Sequence, residues 1–115
     1  MKIVLSFFIL FSVISLQAQQ SLAGVWNTGK DNTKVEMTED NGVYSGKIIS
    51  SENANAKIGN QLIKDVKSVD EEWKGKFYAP KKGKWFDAVF VEKDGQLMVT
   101  VGAGMRSKTI TWSKE

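Results

Sequence analysis

Four short polar segments, "EDNG" (39–42), "SVDEE" (68–72), "PKKG" (80–83) and "EKDG" (92–95), constrain this chain more than any other feature. Each carries Gly, Asn, Asp or Pro, the residues that tolerate tight-turn conformations, and each separates runs rich in Val, Ile, Thr, Trp, Phe and Tyr. Connections this short join neighbouring strands as antiparallel hairpins. The runs predict strands at about 24–28, 33–39, 43–51, 61–68, 72–79, 84–92, 96–102 and 107–113. One connection is longer: "SENANAKIGN" (51–60), polar and Asn-rich, is the natural place for a loop or a single helical turn.

Side chains at i and i+2 share a strand face, so alternation assigns an inside. Val35 and Met37 alternate with Lys34, Glu36 and Thr38; Tyr44, Gly46 and Ile48 alternate with Ser45 and Lys47. Trp73, Gly75 and Phe77 alternate with Lys74 and Lys76, and Leu97, Val99 and Val101 with Met98 and Thr100. The run "KWFDAVFVE" (84–92) is apolar on both faces, Phe86, Ala88 and Phe90 opposing Trp85, Val89 and Val91, which predicts that something covers its outer side. Eight antiparallel strands with one apolar face close on themselves as an all-β up-and-down barrel, which removes exposed edges; a closed meander is preferred here to a two-sheet sandwich.

The first residues are of another kind. Lys2 precedes an apolar run from Ile3 to Leu16, and "LQAQQ" supplies a small residue, Ala18, for cleavage. That is the pattern of a signal peptide over residues 1–18. The run is shorter than the ~20 residues a membrane helix needs, and no later segment is apolar enough to span. The expected product is exported, periplasmic or secreted, with a single domain at 19–115. Losing 18 of 115 residues leaves 97, and losing Lys2 lowers the formal charge from +3 to +2, too little to imply a polyanionic partner. With no cysteine there is no acyl anchor and no disulfide, so the domain must be held by its core.

"GVW" (24–26) resembles the Gly-x-Trp on the first strand of lipocalin-like (calycin) barrels, where the tryptophan plugs one end and a basic residue of the last strand lies across it. The last strand here is "MRSKTITWSK" (105–114), on which Arg106, Lys108, Ile110 and Trp112 share a face. The resemblance therefore implies Arg106 or Lys108 over Trp26, with Gly24 letting the chain pass close to the plug. From Leu22 onward the chain resembles domain-of-unknown-function family 2147, small exported bacterial proteins built as lipocalin-like barrels. The pieces that carry the likeness are "GVW", "TKVEMTEDNGVYSGKI" (33–48), "EWKGKFYAPKKGKWF" (72–86) and "SKTITWSK" (107–114). The chain departs from that pattern in three places. The family's Tyr-Asp-Pro turn is "YAP" with Ala79, its Asn/Pro-rich segment has shrunk to "NANAK" (53–57), and its closing-strand arginine falls at Lys108. The resemblance implies a fold and no assigned reaction.

Composition argues against an enzyme. With neither histidine nor cysteine, the commonest general base, the usual zinc and haem ligands and the strongest nucleophile are missing. Asp70, Glu71 and Glu72 are consecutive in a turn and point different ways, whereas a glycosidase pair faces across its substrate. "VGAGM" (101–105) lacks the Lys-Ser/Thr ending of a phosphate loop. No catalytic residue, metal ligand or cofactor is expected.

Two functions remain. In the first, inward residues enclose a small apolar or amphipathic ligand: Trp26, Met37, Tyr44, Phe77, Phe86, Phe90 and Trp112 form the walls, and Arg106 or Lys108 orients a polar head. In the second, the same side chains fill the barrel and the protein acts through its surface. The Lys-rich hairpin "KGKFYAPKKGKWF" (74–86), with Lys81, Lys82 and Lys84, then meets an anionic surface. Nucleic acid is not expected for an exported protein. Gly46 and Gly75 are where the two readings diverge, leaving space in one and only curving the strands in the other.

Overall fold

The computed structural model describes residues 21–102 and 107–115, so the expected leader and Arg106 lie outside the described residues. Eight strands form where the apolar alternation runs between turns: β1 (Gly24–Asn27), β2 (Lys34–Asp40), β3 (Val43–Ser50), β4 (Gln61–Val69), β5 (Glu72–Ala79), β6 (Lys84–Lys93), β7 (Gln96–Val101) and β8 (Lys108–Lys114). Each pairs antiparallel with its sequence neighbours, and β1 also pairs with β8, closing the barrel. Among the described residues no helix is long and apolar enough to cross a membrane.

An antiparallel meander sends alternate connections to opposite ends. The β2–β3, β4–β5 and β6–β7 turns share one end, and all three are two-residue hairpins with both central residues at positive φ. These are Asn41 and Gly42 (54° and 83°), Asp70 and Glu71 (53° and 67°), and Asp94 and Gly95 (54° and 79°). This is the type I′ turn, whose twist matches that of the strands it joins. The other end carries longer connections: 28–33, 51–60, 80–83 and 102–107.

Trp26, Val35, Met37, Tyr44, Ile48, Phe90, Leu97, Val99 and Trp112 are buried, as the alternation predicts, and Leu22, Ile63, Val66 and Ala88 join them. Ile63 and Val66 are three residues apart, a spacing that places two strand residues on opposite faces. A bulge reconciles them: Lys64 pairs with Lys76 and Lys67 with Lys74, so β4 carries one extra residue, and Asp65 turns through φ 58°.

The bulge also decides the question of Gly75. A Cβ there would lie 2.5 Å from Val66 Cγ2 and 2.8 Å from the Lys64 carbonyl oxygen. At Gly46 it would lie 2.7 Å from Met37 Sδ and 3.1 Å from Val35 Cγ1. Neighbouring side chains occupy the space that both glycines leave.

On the outer side of β6, Trp85 packs against Tyr78 with ring centroids 5.2 Å apart, and Lys64 Nζ lies 4.3 Å from the Trp85 centroid. Part of that face is thus covered from within the chain, while Val91 remains 47% exposed.

Candidate functional site

The end of the barrel with the tight turns is closed by the segment that leads into β1. Leu22 is fully buried, and its carbonyl accepts a 3.0 Å hydrogen bond from Trp26 Nε1, which satisfies the one polar atom of the plug. Ser21 Oγ and Tyr44 Oη lie 3.2 Å apart, and the Tyr44 ring meets Trp73 edge-on at 5.2 Å. Pairing of Trp26 with Lys114 puts the Lys114 ammonium 4.7 Å from the indole centroid, where it also donates to the Ala23 carbonyl at 2.8 Å.

This corrects the expectation that Arg106 or Lys108 covers Trp26. Lys108 pairs with Val101, six residues up β8, and at about 3.4 Å per residue it stands roughly 20 Å from Lys114. Arg106 lies outside the described residues. Parity was the usable signal: Lys114 continues the face of Lys108, Ile110 and Trp112, and only the β1–β8 register selects among these positions. That register also explains the opening Gly-x-Trp. Gly24 sits at φ 126°, and a Cβ on it would lie 2.5 Å from Lys114 Nζ, so a side chain there would displace the cation from the plug.

The seam between β1 and β8 has two registered pairs, Trp26 with Lys114 and Asn27 with Ser113, and it is fastened by Glu115. The Glu115 backbone N–H donates to the Val25 carbonyl at 3.0 Å, and its carboxylate accepts from Asn27 Nδ2 at 3.0 Å and pairs with Lys34 at 3.0 Å. The Asn27 hydrogen bond first, then Lys34, holds this carboxyl below its ordinary range.

The opposite end differs in burial and charge. Phe77 and Phe86 face each other across β5 and β6, and both are only half-buried, as are Val101 and Ile110 on the same inner face. Below them Trp112 is buried, its ring 6.1 Å from that of Phe77. Above them Lys82 Nζ and Lys84 Nζ lie 5.7 and 5.5 Å from the Phe86 centroid. Lys108 is exposed at the start of β8 and shares the inward parity of Ile110. Among the described residues none of Lys81, Lys82, Lys84 and Lys108 lies within ion-pair distance of a carboxylate; the hairpin's other lysines do, Lys76 with Asp87 and Lys74 with Glu72.

The expected ligand residues therefore divide. Phe77, Phe86 and Lys108 stand at the open end, with Trp112 beneath Phe77. Trp26, Met37, Tyr44 and Phe90 belong to the filled part: Met37 lies over Gly46, Tyr44 against Trp73, and Phe90 opposite both Trp73 and Val99. A cavity of about 290 Å³ lies elsewhere, on the outer face, lined by Glu36, Thr38, Ser45, Gly46, Lys47, Gly59 and Gln61.

Fold and site together define a small closed β-barrel with one plugged and one basic, apolar-floored end. Residues 24–114 match the family described as "Uncharacterized protein conserved in bacteria (DUF2147)", and the chain belongs to that family. No curated protein matches it.

Proposed function

We propose that the protein is an exported, lipocalin-like binding barrel without catalytic activity, which takes a small amphipathic anion at its open end. The observation that carries this reading is the uneven filling of the inner face. Phe77, Phe86, Val101 and Ile110 form a half-buried group at one end with Lys82 and Lys84 over Phe86, whereas the apolar inward side chains of the closed end are buried apart from Trp73, which packs edge-on against Tyr44. An acyl tail gains from the apolar floor and a carboxylate or phosphate head from the cations, the usual composition of a ligand site. The packed space above Gly46 and Gly75 limits how far a tail descends. It also favours the second reading, a filled barrel that acts only through its surface.

The test is a series of fatty acids of increasing length, followed by tryptophan emission and melting temperature. Trp112, close to Phe77, reports on the mouth. A ligand that binds only the folded state adds about 2.7 kcal/mol at a hundredfold excess over Kd. Val101→Phe, which fills the mouth, should abolish both responses. If no chain length changes either signal, the filled-barrel reading replaces this one.

A further inference from the structure

The two ends of the barrel carry opposite charge. The closed-end turns bring together Asp40, then Asp70, Glu71 and Glu72, then Asp94, with Lys93 among them. The open-end connections bring Lys57, Lys81 and Lys82, flanked by Lys84 and Lys108 at the starts of β6 and β8. Lys30 lies there too, beside the acids Asp31 and Glu52. Those two acids accept hydrogen bonds that tie the two loops together, Asn53 Nδ2 donating to Asp31 at 3.2 Å and Asn32 Nδ2 to Glu52 at 3.3 Å, and they offset only part of the charge of the lysines at this end. A small net charge thus conceals a dipole along the barrel axis, and such a field orients a molecule before contact.

A second observation falls at the same end. Ile58, on the β3–β4 connection next to Lys57, is 59% exposed, more than any other large hydrophobic residue described. The β3–β4 and β5–β6 connections are neighbours on the rim, because β4 and β5 are paired. An exposed aliphatic side chain with lysines around it has the chemistry of an interfacial anchor: the cations meet lipid phosphates and the alkyl group enters the acyl boundary.

We propose that the open end docks onto a bilayer surface of anionic phospholipid, with Lys57, Lys81, Lys82 and Lys84 against the headgroups and Ile58 inserted. The acidic closed end is repelled, so the mouth is held toward the membrane. A folded soluble polyanion offers the same charge with no layer for Ile58 to enter, which is why lipid fits better than glycan.

Vesicles of phosphatidylglycerol mixed into phosphatidylcholine, against phosphatidylcholine alone, test this by co-sedimentation at low and high salt. Binding should require phosphatidylglycerol and weaken with salt. Lys81→Gln/Lys82→Gln/Lys84→Gln should lose about a hundredfold in affinity, following the usual contribution of a lysine near an anionic surface. Ile58→Ser should lose severalfold, whereas Asp70→Asn/Glu71→Gln/Glu72→Gln should bind at least as well as the parent. Ile58→Trp should gain a blue-shifted emission component that brominated lipid quenches. Lys81→Glu alone, far from the core, serves if the triple change alters the melting temperature. The proposal is overturned by absence of binding, by unchanged binding of the lysine variants, or by heparin binding as tightly as vesicles with Ile58→Ser unaffected. Docking does not require an occupied barrel, so ligand binding without vesicle binding, or the reverse, separates this proposal from the one above.

Discussion

The closed end and the open end are made from the same eight strands and differ in how their connections treat the chain. At the closed end two-residue turns keep the strands paired to their tips, and the segment before β1 inserts Leu22 against Trp26 of β1. At the open end the connections are longer, although Asn27 with Lys34, Ala79 with Lys84 and Val101 with Lys108 still pair at the strand tips, and Phe77, Phe86, Val101 and Ile110 are only half-buried. Burial is therefore greater at one end, and half-buried apolar surface remains at the other.

Substitutions can break or sharpen this contrast. The largest effect is expected from Trp26→Ala, which empties the plug, strands the Leu22 carbonyl and removes the surface under Lys114. A cost of about 3–5 kcal/mol is typical of such a change and should appear in urea unfolding. Gly24→Ala should cost roughly 1–3 kcal/mol, from its left-handed φ and the displaced ammonium together. Phe86→Ala at the open end should cost only about 1 kcal/mol, since a half-buried ring forfeits less transfer energy, yet it should abolish the fatty-acid response. If Phe86→Ala destabilises as much as Trp26→Ala, the division of labour between the ends is wrong.

The smallest effect concerns Glu115. Its folded carboxyl titrates below its unfolded value, so its contribution is present above the unfolded carboxylate range and is lost as pH falls through the lower folded value. Glu115 is solvent-exposed, and the effect is correspondingly slight. Comparing the acid limb of thermal stability in Glu115→Gln with the parent should show a flatter decline in the variant. An identical limb would mean that the seam does not depend on this carboxylate.

Much of the fold was legible from local pattern. Turn residues placed the four short hairpins, and alternation assigned the inward faces of β2, β3, β5 and β7, because a strand with one dry face repeats every two residues. Where that period fails, so does the reading. In "QLIKDVK" the bulge at Asp65 shifts parity, so Val66 turns inward out of step and fills the space over Gly75. Leu22 was missed for a different reason, since it precedes the first strand and has no alternation to join. At the candidate site the aromatic residues Phe77 and Phe86 and the lysines around them were recognisable by type, but their partial exposure was not.

By itself the sequence determined the approximate strands, the short turns between them and the inward sets of β2, β3, β5 and β7, all consequences of chemistry within a few residues. Only the tertiary structure decided which cation covers Trp26, which end is filled and that acids and lysines part to opposite ends. Those depend on register between segments as distant as Trp26 and Lys114, which is fixed when the barrel closes; a shift along that seam would bring a different side chain over the plug.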